Sequence, residues 1–300
     1  PSFLRILRIG VHLEKEIVAE QDRIKSAIQN VIRQMMDRVM ENVLENDPFI
    51  VDKHRAEKPL YAALVPDEIF RASHFERRFT TPFGGVWEKL AVVAAQEGLG
   101  YGKTAHVVTG TVSEARLRRI TEVLNLLEHQ DAAAQRRGEL RVRPDWRSEL
   151  AYILEDNAGE AVPVTVICDV YAEDMQRQRR FAFELKAPLP NSDQTKVSKE
   201  KLLKLWAMEP RRVDEAFFAL PYNPYGSREN YRWSFPSRWF DMQRDEVVLI
   251  GNEFWEKIGG AGTYQAFIDA VNELGIEYKM RIYREFLGVE PPNDSGAVLR

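Results

Sequence analysis

The sequence predicts an α/β protein with a helical N-terminal region. Three observations predict it. The first third carries apolar residues at helical spacing. The middle carries apolar runs of strand length bounded by turn residues. Between and around those runs lie amphipathic, charge-bearing stretches of helical period.

The first element spans Leu13 to Leu44. Ile17, Ile24, Ile28, Val31, Met35, Val39 and Val43 recur at steps of three, four and seven, and Asn46-Asp47-Pro48 ends the pattern. The stripe suits a helix packed on its own domain, and its narrowness also suits a dimer seam. Residues 48–66 carry Pro48, Pro59 and Pro66 without a clean period and are expected to connect. A second helical stretch breaks at Thr81-Pro82-Phe83-Gly84-Gly85. Helix resumes from Val86 to Gln96, with Trp87, Leu90, Ala91, Ala94 and Ala95 along one side. Gly98, Gly100 and Gly102 are expected to end it. Ala105 to Thr111 is a short strand. Ser113 to Arg137 is a charged amphipathic helix capped by Ser113.

The period then changes. Val162 to Tyr171 is apolar on both faces and predicts a buried strand. Glu173 to Arg180 is a polar turn, and Phe181 to Lys186 is a second strand. Ala187-Pro188-Leu189-Pro190-Asn191 breaks it, and Asp193 to Trp206 is a lysine-bearing helix. Glu215 to Leu220 and Glu246 to Ile250 are a third and fourth strand, the last ended by Gly251. Thr263 to Leu274 is a helix capped by Gly275. The expected division is a helical region over 1–75, suited to dimerisation, and a core over 76–300.

Composition narrows the class. Of 300 residues, 44% are hydrophobic and 29% charged, which excludes disorder over most of the chain. A chain this long buries a core without disulfides or a structural metal. The single cysteine, Cys168, excludes an internal disulfide and a cysteine-based zinc module, and it points to a reducing, cytoplasmic compartment. No apolar run of about eighteen residues is present to span a membrane. Pro1-Ser2-Phe3-Leu4-Arg5 lacks a signal-peptide pattern. The net charge of −4 excludes a protein coated in positive charge but allows a local basic cleft.

The two middle strands carry the chemistry. Paired antiparallel through the turn, they set Asp169 opposite Glu184. Glu184 and Lys186 then point to one face and Phe183 and Leu185 to the other, with Asp169 able to share the face of Glu184. Two carboxylates in an apolar sheet repel and are costly to desolvate. A magnesium ion resolves the conflict, since it takes hard oxygen ligands from one or two carboxylates. Lys186 beside it is placed to hold a water and to stabilise a developing anion, which is equipment for metal-assisted phosphodiester hydrolysis. Glu88, after Pro82-Phe83-Gly84-Gly85-Val86-Trp87, is a further candidate carboxylate, and Glu200 on the following helix another. Lys196, Lys199, Lys201 and Lys204, with Gln194 and Thr195, stand where a helix leaves the site, in position for phosphates.

Competing patterns fail. A second triplet, Glu277-Tyr278-Lys279, lies in Ile276–Ile282, which alternates like a half-exposed strand and has no carboxylate-bearing partner strand nearby. Gly98-Leu99-Gly100-Tyr101-Gly102-Lys103-Thr104 imitates a phosphate-binding loop, but Glu97 stands where that pattern needs glycine. No nucleotide cofactor is therefore expected. No Gly-x-Ser-x-Gly elbow and no ligand-spaced histidine pair occur among the five histidines.

Asp169-Val170-Tyr171, followed by Phe183-Glu184-Leu185-Lys186-Ala187-Pro188-Leu189-Pro190-Asn191 with Gln194-Thr195-Lys196, resembles the active site of a PD-(D/E)XK nuclease. More narrowly, the chain resembles the TdeIII-type (MjaII-like) Type II restriction endonucleases. Pro82-Phe83-Gly84-Gly85-Val86-Trp87-Glu88, Tyr222-Asn223-Pro224-Tyr225-Gly226 and Gly251-Asn252-Glu253-Phe254-Trp255 extend the match over roughly residues 75–270. Asp169 follows Cys168 rather than a proline, and the literal Pro-Asp pair, Pro144-Asp145, lies upstream of the hairpin.

The resemblance implies a restriction-endonuclease-like core, a central mixed sheet flanked by helices. It implies a magnesium-dependent enzyme that cuts both strands of double-stranded DNA at a short palindrome of the GG-N-CC kind and leaves 5′-phosphates. Asp169 and Glu184 would hold the metal, Lys186 would position the water, and Glu88 would correspond to the acidic residue of an early helix. A palindromic target implies a twofold homodimer. Asn223, Tyr225, Arg228, Asn230, Arg232 and Arg238, interleaved with Tyr231 and Trp233, form the expected DNA-contacting loop, or else an aromatic loop covering the core. The alternatives are a repair or non-specific nuclease of the same fold, a non-catalytic DNA-binding protein, and a helical scaffold.

Overall fold

The apolar stripe of the first helix is satisfied by a helix from the other end of the sequence. The computed structural model describes residues 2–129, 136–138 and 141–292, with side chains from residue 19 onward. In it α1 (Ser2–Glu41) buries Ile24, Ile28, Met35 and Val39. Its partner is α10 (Thr263–Arg281), whose Phe267, Ala270, Leu274 and Tyr278 are buried at helical steps. Polar ties flank that seam. Lys25 Nζ lies 2.6 Å from Glu273 Oε1, Arg33 lies 2.7 Å from Glu277, and the Tyr278 hydroxyl donates to Asp37 Oδ1 at 2.6 Å. Ile17 in the expected stripe lies outside the described side chains.

This pairing corrects two expectations. Gly275 does not end its helix, and Ile276–Ile282 is not a strand. Burial of Tyr278 carries the helix through to Arg281, and Glu277 pairs with α1. The chain forms two compact units. One unit is residues 1–90 with 262–300, and the other is Ala91–Ala261. Residue 75 falls inside α4 (Asp67–Phe83). The proline-bearing connection of 48–66 contains two short helices, α2 (Val51–Glu57) and α3 (Pro59–Leu64), the latter with Pro59 in its first turn, where no N–H is needed.

The second unit is built on a five-stranded mixed sheet in the order β1 (Gly100–Ser113), β2 (Ala161–Asp174), β3 (Arg179–Leu185), β4 (Glu215–Leu220), β5 (Val248–Ile250). The first three strands are antiparallel, and β3, β4 and β5 run parallel. The expected α/β class therefore holds. Helix α5 (Val86–Gly98) leads into β1. The glycines expected to stop that helix are the first strand residues instead. Gly100 adopts φ +100°, and a Cβ on Gly102 would stand 2.8 Å from the Val92 carbonyl, so the strand passes directly over the helix.

Helices α6 (Glu114–Glu128), α7 (Trp146–Glu155) and α8 (Ser192–Ala207) cover one face. Ile120, Leu124, Trp146, Ile153, Leu202 and Leu205 pack there with Val166, Cys168, Ala216 and Phe218 of the strands. Ser113 caps α6 by accepting the Arg116 amide. The helix ends at Glu128, where His129 turns extended, short of the expected Arg137; residues 130–135 lie outside the described residues. Asp145 of the Pro144-Asp145 pair caps α7 by accepting the Ser148 amide at 3.1 Å, which accounts for that acid without chemistry. On the other face Phe183 stacks on Phe217 at 5.5 Å and meets the edge of Phe254 on α9 (Asn252–Gly259).

Gly98 is fixed by a close approach. A Cβ there would lie 2.3 Å from the carbonyl oxygen of Gly259, backbone against backbone. Gly98→Ala is expected to cost about 1–3 kcal/mol of stability, measured as a lower urea midpoint with an unchanged slope.

Candidate active site

The hairpin of β2 and β3 sets the site. Asp174 accepts the amides of Gln176 and Arg177 at 3.0 and 2.8 Å, which closes the turn. The register pairs Tyr171 with Ala182 and Val170 with Phe183, and its next step brings Asp169 opposite Glu184. The Leu185 amide donates to Asp169 Oδ2 at 3.0 Å at that step.

Asp169 also marks a break in the strand. Cys168 and Tyr171, three apart, both join the core under the helices, so the two-residue alternation of β2 shifts by one between them. In β1 the partner position is Ala105. It adopts φ +49° and drops out of the ladder between Thr104 opposite Val170 and His106 opposite Cys168. A non-glycine residue in this region is strained. The strain lies opposite the first carboxylate.

Glu184 is 1% exposed. Two ammonium groups gather it with Asp169. Lys186 Nζ pairs with Asp169 Oδ2 and lies 3.6 Å from Glu184 Oε2. Lys201, from α8, donates to Glu184 Oε1 and Oε2 at 2.9 and 3.0 Å and to the Ile167 carbonyl at 2.8 Å, and lies 3.8 Å from Asp169 Oδ1. Burial, and then the Asp169 charge, push the Glu184 carboxyl up to about 7 against the pull of the two lysines. Burial opposes the charge on Lys201, but Glu184 outweighs it and holds the ammonium above its ordinary value. Burial and Glu184 push the neighbouring Cys168 thiol up to about 12, so that thiol is inert.

Two carboxylates and a main-chain carbonyl already converge on a cation, and every donor is a hard oxygen. That set fits magnesium. Among the described residues no group of three or more His, Cys, Asp or Glu side chains gathers to hold a metal. Glu88 lies half-buried on α5, in the other unit. Glu200 pairs with Lys204 at 2.6 Å on its own helix.

The lysine helix divides by face. Thr195, Ser198, Lys199, Leu202 and Leu205, at steps of three and four, form its buried side. Thr195 and Lys199, expected at phosphates, are therefore buried in the core. Thr195 Oγ1 donates to the Asn191 carbonyl at 2.7 Å, and Lys199 pairs with Glu149 and the Trp239 carbonyl beneath the Phe240 ring. Burial pulls the Lys199 amine down while Glu149 opposes it. Gln194 is exposed, and Lys196 is half-exposed, 2.5 Å from Glu128. Lys201 stands three past Ser198 and four before Leu205, on the edge of the buried face that meets the sheet. Sequence reasoning grouped it with the phosphate contacts and left it out of the site, although this spacing carried the signal.

The loop between β4 and β5 is both cover and surface. Tyr231, Trp239 and Phe240 are buried. The Tyr231 hydroxyl donates to the Pro188 carbonyl at 2.9 Å, and the Trp233 indole to that of Pro190 at 2.8 Å, so the loop is fastened to the segment just after Lys186. Arg228, expected at DNA, is turned inward. It bonds the Met242 and Asp245 carbonyls and Glu253 Oε2, the last at 3.0 Å. Asn223 caps its own turn, accepting the Tyr225 amide at 2.9 Å and donating to the Ser227 carbonyl at 2.7 Å. Tyr225, Asn230 and Arg232 are exposed.

Known proteins are similar in sequence to this chain. A family model described as Type II restriction endonuclease, HinfI, matches residues 24–275. The Type II restriction enzyme HgiCII of Herpetosiphon aurantiacus is 27% identical over 235 residues, covering 77% of this chain and 82% of that enzyme. HgiBI and HgiEI of the same organism are each 26% identical, over 249 and 239 residues, covering 80% and 77% of this chain and 85% and 81% of those enzymes.

Two outcomes follow from the buried charges. The folded chain holds the Glu184 proton to higher pH than the unfolded chain does, so that residue's contribution to stability is full below 4.5 and is lost as the pH rises through about 7. In urea unfolding of the metal-free protein, parent stability relative to Glu184→Gln should fall across this window. Lys199→Ala strands Glu149 in the core and should cost about 3–5 kcal/mol, whereas a DNA-contacting lysine would show its loss in binding and not in unfolding.

Proposed function

Because the chain belongs to the HinfI family of Type II restriction endonucleases, we propose that it cuts both strands of double-stranded DNA at a short palindrome in a magnesium-dependent hydrolysis, leaving 5′-phosphates. One observation carries the reading. Asp169 and Glu184 are gathered on adjoining strands around ammonium groups.

Asp169 and Glu184 would hold the ion. Magnesium, when bound, supplies the hard positive charge that offsets the anion growing on the phosphate. Lys186 orients the attacking water with one N–H and stabilises that anion with its charge. The carboxylates and lysine on a mixed sheet support assignment to the PD-(D/E)XK group. The resemblance to TdeIII-type enzymes supports a GG-N-CC target.

DNA contact falls to residues left exposed or partly exposed. Gln194 and Lys196 serve phosphates, and Asn223, Tyr225, Asn230 and Arg232 serve the groove. Arg228 and Lys199 support these elements from beneath. A palindromic target favours a homodimer sharing the axis of the DNA. A lone buried cysteine fits a prokaryotic cytoplasm.

Plasmid DNA with magnesium should give discrete fragments, and sequencing their ends should return one palindromic site with 5′-phosphates. A smear would favour a non-specific nuclease, and binding without cutting a non-catalytic protein. Asp169→Ala, Glu184→Ala and Lys186→Ala should each slow cleavage by about 10²–10⁴-fold. Parent-like rates in these variants would move the site elsewhere.

A further inference from the structure

We propose that Lys201 is a tethered stand-in for the divalent ion. It keeps the two carboxylates assembled in the metal-free protein, competes with the ion for their oxygens, and so sets the affinity of the site. This inference rests on the reading of Asp169 and Glu184 as metal ligands.

The geometry distinguishes Lys201 from Lys186. Lys186 touches one oxygen of each carboxylate. Lys201 Nζ is held by both Glu184 oxygens at 2.9 and 3.0 Å and by the Ile167 carbonyl at 2.8 Å, and it faces the far Asp169 oxygen at 3.8 Å. An ammonium thus sits among four oxygens from three residues, where a hard cation would sit.

Charge explains why it is needed. Glu184 is 1% exposed and Asp169 lies beside it, so neither water nor a loose counterion can offset both. Two lysines balance two carboxylates. A divalent ion adds two further charges, and Lys201 must then leave. It can: its side chain is 27% exposed and hangs on a flexible four-carbon stem from the edge of α8. Lys199, two residues earlier, is walled in and cannot exchange. While Lys201 occupies the oxygens, only a fraction of molecules is competent to take the ion, and the apparent affinity falls by that fraction.

The test is calorimetric titration of the full chain with Mn²⁺, without DNA, so the readout is independent of cleavage. Lys201→Met should bind Mn²⁺ roughly tenfold or more tightly than the parent. It should melt lower without metal, and Mn²⁺ should raise its melting temperature more than the parent's. Lys201→Arg, which keeps a tethered charge, should stay weak like the parent, and Asp169→Asn should lose binding. Equal or weaker binding by a cooperatively melting Lys201→Met overturns the proposal. Should that variant not fold, Lys201→Gln is judged by the same criterion. Absence of Mn²⁺ binding in both parent and Lys201→Met overturns the ion site together with the proposal. A parent that binds Mn²⁺ but cleaves no DNA counts against the nuclease reading alone.

Discussion

The arrangement around the site depends on one electrostatic constraint: two carboxylates held side by side in a sheet, Glu184 with almost no solvent and Asp169 only partly exposed. Glu184 is pushed up to about 7 by burial and by Asp169 even with two ammonium groups in contact. Without those groups the hairpin would face an unbalanced buried charge. The local sequence answers that need in order. Lys186 follows two residues after Glu184. Pro188 and Pro190 then end the strand, and α8 returns over the sheet with Lys201 at its edge. The shifted alternation at Asp169 and the strained Ala105 opposite it belong to the same solution, since a regular strand would send Cys168 and Asp169 to opposite faces.

The aromatic loop between β4 and β5 does two kinds of work with one stretch of chain. Its Tyr and Trp rings fill the core while their polar tips bind the carbonyls of the Pro188–Pro190 break, which has few strand partners of its own. Arg228 and Asp245 complete that scaffold from within. The residues left outside, Tyr225, Asn230 and Arg232, are therefore carried on a braced platform. A side chain's type, arginine or lysine, does not tell which role it takes. Its position relative to the apolar stripe does.

Much of the second unit was legible in the sequence. Apolar runs flanked by proline, glycine and polar turns marked β2, β3 and β4 closely; β3 and β4 are buried on both faces, whereas the first half of β2, expected to be buried on both, leaves Thr165 and Ile167 exposed. The opposition of Asp169 and Glu184 followed from counting across a short turn. Features set by tertiary contact were harder. α7 was not anticipated, although Trp146, Leu150, Ile153 and Leu154 fall at helical steps on its core face. Gly275 lies inside a helix because Tyr278 beyond it is buried against α1, a contact far away in sequence. Lys199 and Lys201 look alike in one dimension. Only the phase of Thr195, Ser198, Leu202 and Leu205 separates the lysine in the core from the one at the site.

The pairing of α1 with α10 also orders events at the ribosome. The whole sheet, residues 91–261, is synthesised before the helix that completes the N-terminal unit. Until then the apolar flank of α1 that α10 covers stays open. The sheet unit can therefore finish folding while the helices that precede it still await closure. A pause or truncation near residue 262 would leave formed strands joined to an open, adhesive N-terminal segment.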